Sequence, residues 1–144
     1  MIGEIVKTFL VASDGSTASD KAVDVAVARA QLAKAQLVIA NVSEVFCPIG
    51  VTELDPKVFE DASRRESAVI IAAAVARAKA AGIEAKSVQE SGSPADTLVN
   101  IAKREGVEEI FIASHGRHGL ARAAMGSVSA RVVEWAPCTV TVVK

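Results

Sequence analysis

Five short stretches of this sequence have the composition of β-strands, and a segment of helical period lies between each consecutive pair. That alternation leaves few folds open. Residues 5–13, IVKTFLVAS, and 36–42, QLVIANV, are near-continuous apolar runs, as expected of strands covered on both faces. Residues 108–114, EEIFIAS, and 138–143, CTVTVV, read as two further strands. IEAKSVQE (83–90) instead alternates, with Ile83, Ala85 and Val88 apolar, and reads as a strand nearer an edge.

The helices between them carry their own punctuation. Ser16 is placed to cap TASDKAVDVAVARAQLAK, in which Ala22, Val23, Ala26, Val27, Ala30 and Ala33 recur at helical spacing. Residues 43–55 show no clear period. Asp55 and Pro56 then supply an N-cap and a first-turn proline for a helix running to about Ala81, with Gly82 as its stop. Phe59, Ala62, Val69, Ile70, Ala73 and Ala76 are expected on its inner face. Ser93, Pro94 and Gly106 repeat the cap–proline–glycine pattern, and SVSARVVEWA (127–136) is a short helix that Pro137 ends. Trp135, on this last helix, is expected to be a packing residue. The expected fold is a single α/β domain over residues 1–144, a doubly wound, Rossmann-like parallel sheet with right-handed crossovers and helices on both faces. In such sheets ligands bind at the carboxyl ends of the strands, where the strand order reverses.

Composition removes several function classes. Sixteen Lys and Arg against seventeen Asp and Glu leave a formal charge of −1, without the basic face that nucleic-acid binding requires. Aromatic residues make up 3% and Tyr is absent, so stacking platforms for single strands are not expected. Cys47 and Cys138 are far apart and fit neither a CxxC nor a metal-ligand spacing; they read as reduced packing cysteines. No run approaches the ~20 apolar residues of a membrane span. Glu4 and Lys7 interrupt the start where a signal peptide would be apolar, so a cytoplasmic location is expected.

One connection is anomalous. Between IAS (112–114) and the helix at 127 lie twelve residues, where about two to six are usual. They hold His115 and His118, Arg117 and Arg122, and glycines 116, 119 and 126. A P-loop is excluded because no lysine precedes Ser127, and DGSTAS (14–19) has one glycine where a dinucleotide fingerprint needs three. A receiver domain would need clustered acids, but only Asp14 is present, and no nucleophile–base–orienter set is evident.

What remains resembles the universal stress protein family over essentially the whole chain. FLVASDGSTASDKAV is similar to that family's first strand and turn, and GRHGLARAAMGSVSARVVEWAPC to its nucleotide motif and flanks. The motif has two glycines separated by two residues, then nine residues, then Gly-Ser or Gly-Thr. Here Gly116 is the second glycine, residues 117–125 are the nine and Gly126–Ser127 close it, while Ala113 stands at the first glycine position. Members with the full motif commonly bind ATP, and a second branch that lacks it does not. The resemblance implies strand order 3-2-1-4-5. It also implies an ATP crevice with Mg²⁺ on the phosphates, formed by Ala12, Ser13, Asp14 and Val42 on one side. The other side is Ala113, Ser114, His115, Gly116, Arg117, Gly119, Arg122, Gly126, Ser127 and Val128.

The residues themselves agree with that implication. Gly116 and Gly126 can take φ > 0 and let backbone N–H groups approach a phosphate. Ser127 opens a helix whose first amides suit an anion. Arg117, Arg122 and His118 add charge. Asp14 would repel phosphates and is better placed as an acceptor for adenine or ribose donors. Each has a simpler reading as well: Asp14 or Ser127 as a helix cap, the histidines as loop-ordering groups, the arginines as solvated charge. If Ala113 had φ > 0, it would cost roughly 1 kcal/mol, about fivefold in affinity. Three functions stay open: an ATP-binding regulatory homodimer, a nucleotide-free homodimeric interaction protein, and a slow ATPase. The dimer is expected through residues 139–143, which carry no edge-protecting Pro or charge.

Overall fold

The computed structural model describes residues 5–44, 55–116 and 125–144. The first strand is β1 (Thr8–Ala12), followed by α1 (Thr17–Ala33), β2 (Gln36–Ser43), α2 (Pro56–Ala80) and β3 (Lys86–Ser91). Then come α3 (Pro94–Arg104), β4 (Glu109–Ala113), α4 (Ser127–Trp135) and β5 (Thr139–Val143). All five strands are parallel, in the order β3-β2-β1-β4-β5. The expected sheet and its strand order are thus observed.

Alternation along the strands builds two cores. Phe9 and Val11 of β1, Leu37 and Ile39 of β2 and Phe111 of β4 face α1 and α2, where Val23, Val27, Ile71 and Ala74 meet them. The Phe9 and Phe111 rings tilt against each other with centroids 5.5 Å apart. Leu10, Val38, Ile110 and Ile112 point the opposite way, against Leu98 and Ile101 of α3 and Val132 of α4. Small alanines (Ala22, Ala26, Ala30, Ala74, Ala78) line the helix faces and let the backbones lie close to the sheet. Cys138 packs beside the second core, and burial pushes its thiol pKa up. Cys47 and most of the 43–55 connection lie outside the described residues.

The helix ends follow local chemistry. Ser16 Oγ accepts from Ser19 N–H at 3.1 Å, and Asp55 Oδ1 from Lys57 N–H at 3.0 Å. Ser93 occupies the cap position of α3, but its side chain makes no capping bond; Pro94 starts the helix there. The inner face of α2 is not the expected one. Ala62, Val69, Ala73 and Ala76 are exposed, Phe59 and Ile70 are half-buried, and Ser67, Ile71, Ala74 and Ala78 point inward. The helix is so rich in alanine that apolar spacing fits several faces, and the true face includes a buried serine that an apolar template rejects. Trp135 is a second correction. It stands 46% exposed on α4, with the Arg131 guanidinium 4.3 Å from its ring centre.

Candidate functional site

The strand order reverses between β1 and β4: the chain leaves β1 toward β2 on one side and returns through β4 on the other. Their carboxyl ends therefore frame a crevice, and the residues after each strand form its walls.

On the β1 wall, Ala12 ends the strand and Ser13 is buried, with its N–H donating to Ala40 O at 2.9 Å. Asp14 follows, half-buried. Its Oδ1 accepts from Ser16 N–H at 2.9 Å, and its own N–H meets Ser19 Oγ at 3.3 Å. The carboxylate is thereby fastened to the turn that opens α1. Val42, half-buried near the end of β2, packs on the α3/α4 side of the sheet.

On the β4 wall, the expected glycine roles are corrected. Neither Gly116 nor Gly126 takes a left-handed φ, and Gly126 has φ −62°. What they provide is room. A Cβ at Gly116 would stand 2.6 Å from Asp14 Oδ2, and one at Gly126 would stand 3.2 Å from Ser114 O. Gly116 thus brings the β4 segment against the Asp14 carboxylate, across the reversal point. Gly126 closes on Ser114: its N–H donates to Ser114 O at 2.7 Å, and Ser129 Oγ adds a second bond to the same oxygen at 2.9 Å.

That clasp docks the start of α4 on the end of β4. Gly126, not Ser127, holds the cap position, and no side chain caps the helix. Ser127, Val128 and Ser129 open α4, and the first amides of a helix lack acceptors within it, which gives that end a partial positive charge. Ser114 Oγ lies 3.1 Å from Nδ1 of its neighbour His115. Ala113 is 7% exposed, faces the α1/α2 core and has no left-handed φ, so no backbone strain attends the missing glycine. Arg117, His118, Gly119 and Arg122 lie outside the described residues.

Sequence reasoning missed one group behind the β1 wall. Asn41 and Ser67 are 5% and 3% exposed, and each of their side-chain polar atoms is hydrogen-bonded. The signal was an asparagine inside the apolar run QLVIANV. Ser67 also borders a polar cleft of about 460 Å³ between α2 and the ends of β2 and β3, shared with Ser43, Arg64 and Ser91. Among the described residues, no three or more His, Cys, Asp or Glu side chains are grouped to hold a metal ion, and no helix is long and apolar enough to cross a membrane.

A family model described as "Universal stress protein family" matches residues 6–144. The chain belongs to this family. It is 35% identical over 143 residues to the universal stress protein YxiE of Bacillus subtilis, covering 94% of this chain and 97% of that protein. The solved universal stress protein UspA from Lactobacillus plantarum superposes with a TM-score of 0.85 at 27% identity, over 99% of this chain and 100% of that one. A universal stress protein solved in complex with cAMP gives a TM-score of 0.75 at 28% identity, over 98% of this chain and 99% of that one.

Proposed function

We infer that this member of the family is a regulatory module that binds ATP in the crevice between β1 and β4. The observation that carries the reading is the approach of Gly116 to Asp14 across the strand-order reversal. It sets a carboxylate acceptor on one wall, while the uncapped start of α4 is docked on the other. The two walls sort a nucleotide by charge. Asp14 repels phosphate and accepts from ribose hydroxyls or adenine N–H groups, with Val42 as the apolar neighbour of the base. The α4 amides at Ser127 and Val128, with the cations Arg117 and Arg122, take the phosphates. Mg²⁺ rides on the phosphate oxygens, since it retains water and needs few protein ligands. The relative solved with cAMP supports an adenine nucleotide in this fold. Ala113 is compatible with binding because it carries no strain and its methyl faces the core.

The module acts as a homodimer through β5. The two sheet edges differ in the way this reading needs. At the β3 edge, Lys86 pairs with Glu105 at 2.8 Å and Glu90 with Arg104 at 2.7 Å, charges that discourage strand addition. The β5 edge, TVTVV, carries no charge. A two-fold copy would satisfy its free N–H and C=O groups. Catalysis forms no part of the proposal; a turnover assay without phosphate release above background agrees with it. Titration calorimetry with ATP and Mg²⁺ tests binding. Saturable heat at one site per chain is expected, and no heat at millimolar ATP from folded protein favours the nucleotide-free homodimer instead.

A further inference from the structure

The apolar stripe of β2 that faces α1 and α2 runs Leu37, Ile39 and then breaks at Asn41. Alternation turns the Asn41 side chain to the same side, under α2, where a leucine would continue the core. Its amide instead joins two distant segments. Nδ2 donates to Ser13 O at 2.8 Å, and Oδ1 accepts from Ser67 Oγ of α2 at 2.6 Å. A carbonyl can only accept, so one amide orientation alone serves both partners. Ser13 N–H is held from β2 as well, by Ala40 O. Both backbone polar groups of Ser13, the residue before Asp14, are therefore fixed by β2, and α2 fixes the asparagine that fixes one of them.

Apolar groups of similar shape can replace a satisfied side-chain pair at little cost, but Ser13 O is backbone and would stay buried without the Asn41 donor. What a closed polar chain adds is a single geometry, because any other leaves a buried group unpaired. The geometry it selects here is that of the Ser13–Asp14 turn, whose carboxylate Gly116 approaches.

We propose that Asn41 and Ser67 are positioning residues for the crevice: from outside it, they hold the Asp14 carboxylate at the height and angle the ligand needs. The proposal rests on the nucleotide reading for its ligand, but its structural half is independently measurable. The variants are Ser67→Ala, which removes only the donor to Oδ1, and Asn41→Leu, which removes both links. Amide hydrogen exchange at Asp14 and Ser16 is read against Leu10 and Ile110 in the strand centres, and ATP·Mg affinity is read by calorimetry in the same samples.

Exchange at Asp14 and Ser16 rises relative to the strand centres in both variants. Affinity falls about two- to threefold in Ser67→Ala and about tenfold in Asn41→Leu. In an Asp14→Ala background, Asn41→Leu costs less than about twofold, because the group it positions is already gone. A merely structural role lowers the melting temperature and leaves that coupling at zero. Wild-type exchange and affinity in either folded variant overturn the proposal, as does an equal loss with and without Asp14. Should the wild type bind no ATP, the nucleotide reading fails, and the exchange ratio alone decides whether the pair holds the turn. If Asn41→Leu does not fold, Ser67→Ala carries both measurements, with the coupling read between Ser67→Ala and Asp14→Ala.

Discussion

Gly116→Ala places one methyl group against the Asp14 carboxylate, across the crevice. The added Cβ would sit 2.6 Å from Asp14 Oδ2, whereas ordinary contact begins near 3.4 Å. Carboxylate and backbone together must yield by about 0.8 Å. The carboxylate is the softer partner, but rotating it breaks the 2.9 Å bond that Oδ1 accepts from Ser16 N–H. At this half-buried position that bond is worth about 1 kcal/mol. Gly116 has no left-handed φ, so alanine fits its backbone and stabilises by about 0.4–1 kcal/mol through the unfolded chain. The two terms nearly cancel, and the melting temperature is expected to move by less than about 3 °C. Binding has no such compensation. Displacing a charged acceptor from its ligand donors costs about 1.5–3 kcal/mol, a loss of roughly ten- to a hundredfold in ATP affinity. Calorimetry at 25 °C measures it, with Asp14→Ala setting the floor. A folded Gly116→Ala protein that binds within twofold of wild type would refute the reasoning, since the approach of the two walls would then be incidental.

Ala113→Gly restores the family glycine, and the structure predicts no gain from it. The substitution removes a buried methyl, about 0.8 kcal/mol, and adds backbone entropy of about 0.5–1 kcal/mol. The melting temperature should fall by about 5 °C with affinity unchanged within twofold; a fewfold tighter ATP would show that the methyl crowds the ligand. Val142→Pro removes a β5 N–H; light scattering at micromolar concentration should find a dimeric wild type and a weakened or monomeric variant. A monomeric wild type, or a folded variant still fully dimeric, refutes pairing at this edge. Between α1 and α2, the hydrogen bond from Arg77 holds the Asp24 carboxyl below its ordinary pKa. A depressed carboxylate stabilises the fold above its unfolded pKa and loses that contribution as pH falls through the folded value. The stability gap between wild type and Asp24→Asn should therefore be present at neutral pH and close below about pH 4. It should be small throughout and shrink in 1 M salt, because both side chains are more than a third exposed; a gap that widens in acid contradicts the assignment.

Much of the fold was legible because local chemistry and global pattern coincide. Ser16, Asp55–Pro56 and Pro94 mark helix starts wherever the chain folds, and each apolar run is long enough for one strand. The face of α2 was not legible, since its alanines fit several faces and the inward Ser67 answers to Asn41, 26 residues away. Trp135 was misplaced because its partner is the Arg131 guanidinium, four residues earlier on the exposed face of α4, a contact that apolar content does not signal. At the site, spacing identified Gly116 and Gly126 but suggested conformational freedom as their reason. Their actual reason is proximity: Gly116 to Asp14, which arises only when β1 and β4 become neighbours, and Gly126 to Ser114, which arises when α4 docks on the end of β4.

The central claim is that an adenine nucleotide lies between the ends of β1 and β4, with its phosphates at the start of α4. The most direct measurement is a two-dimensional amide NMR titration of the wild type with ATP and Mg²⁺. The account predicts saturable shifts at Asp14, Val42, Gly116, Gly126, Ser127 and Val128, with the amides of β3 and of the carboxyl-terminal half of α2 unmoved. Shifts confined to the cleft around Ser43, Arg64 and Ser91, or no shifts at millimolar ATP, would contradict it.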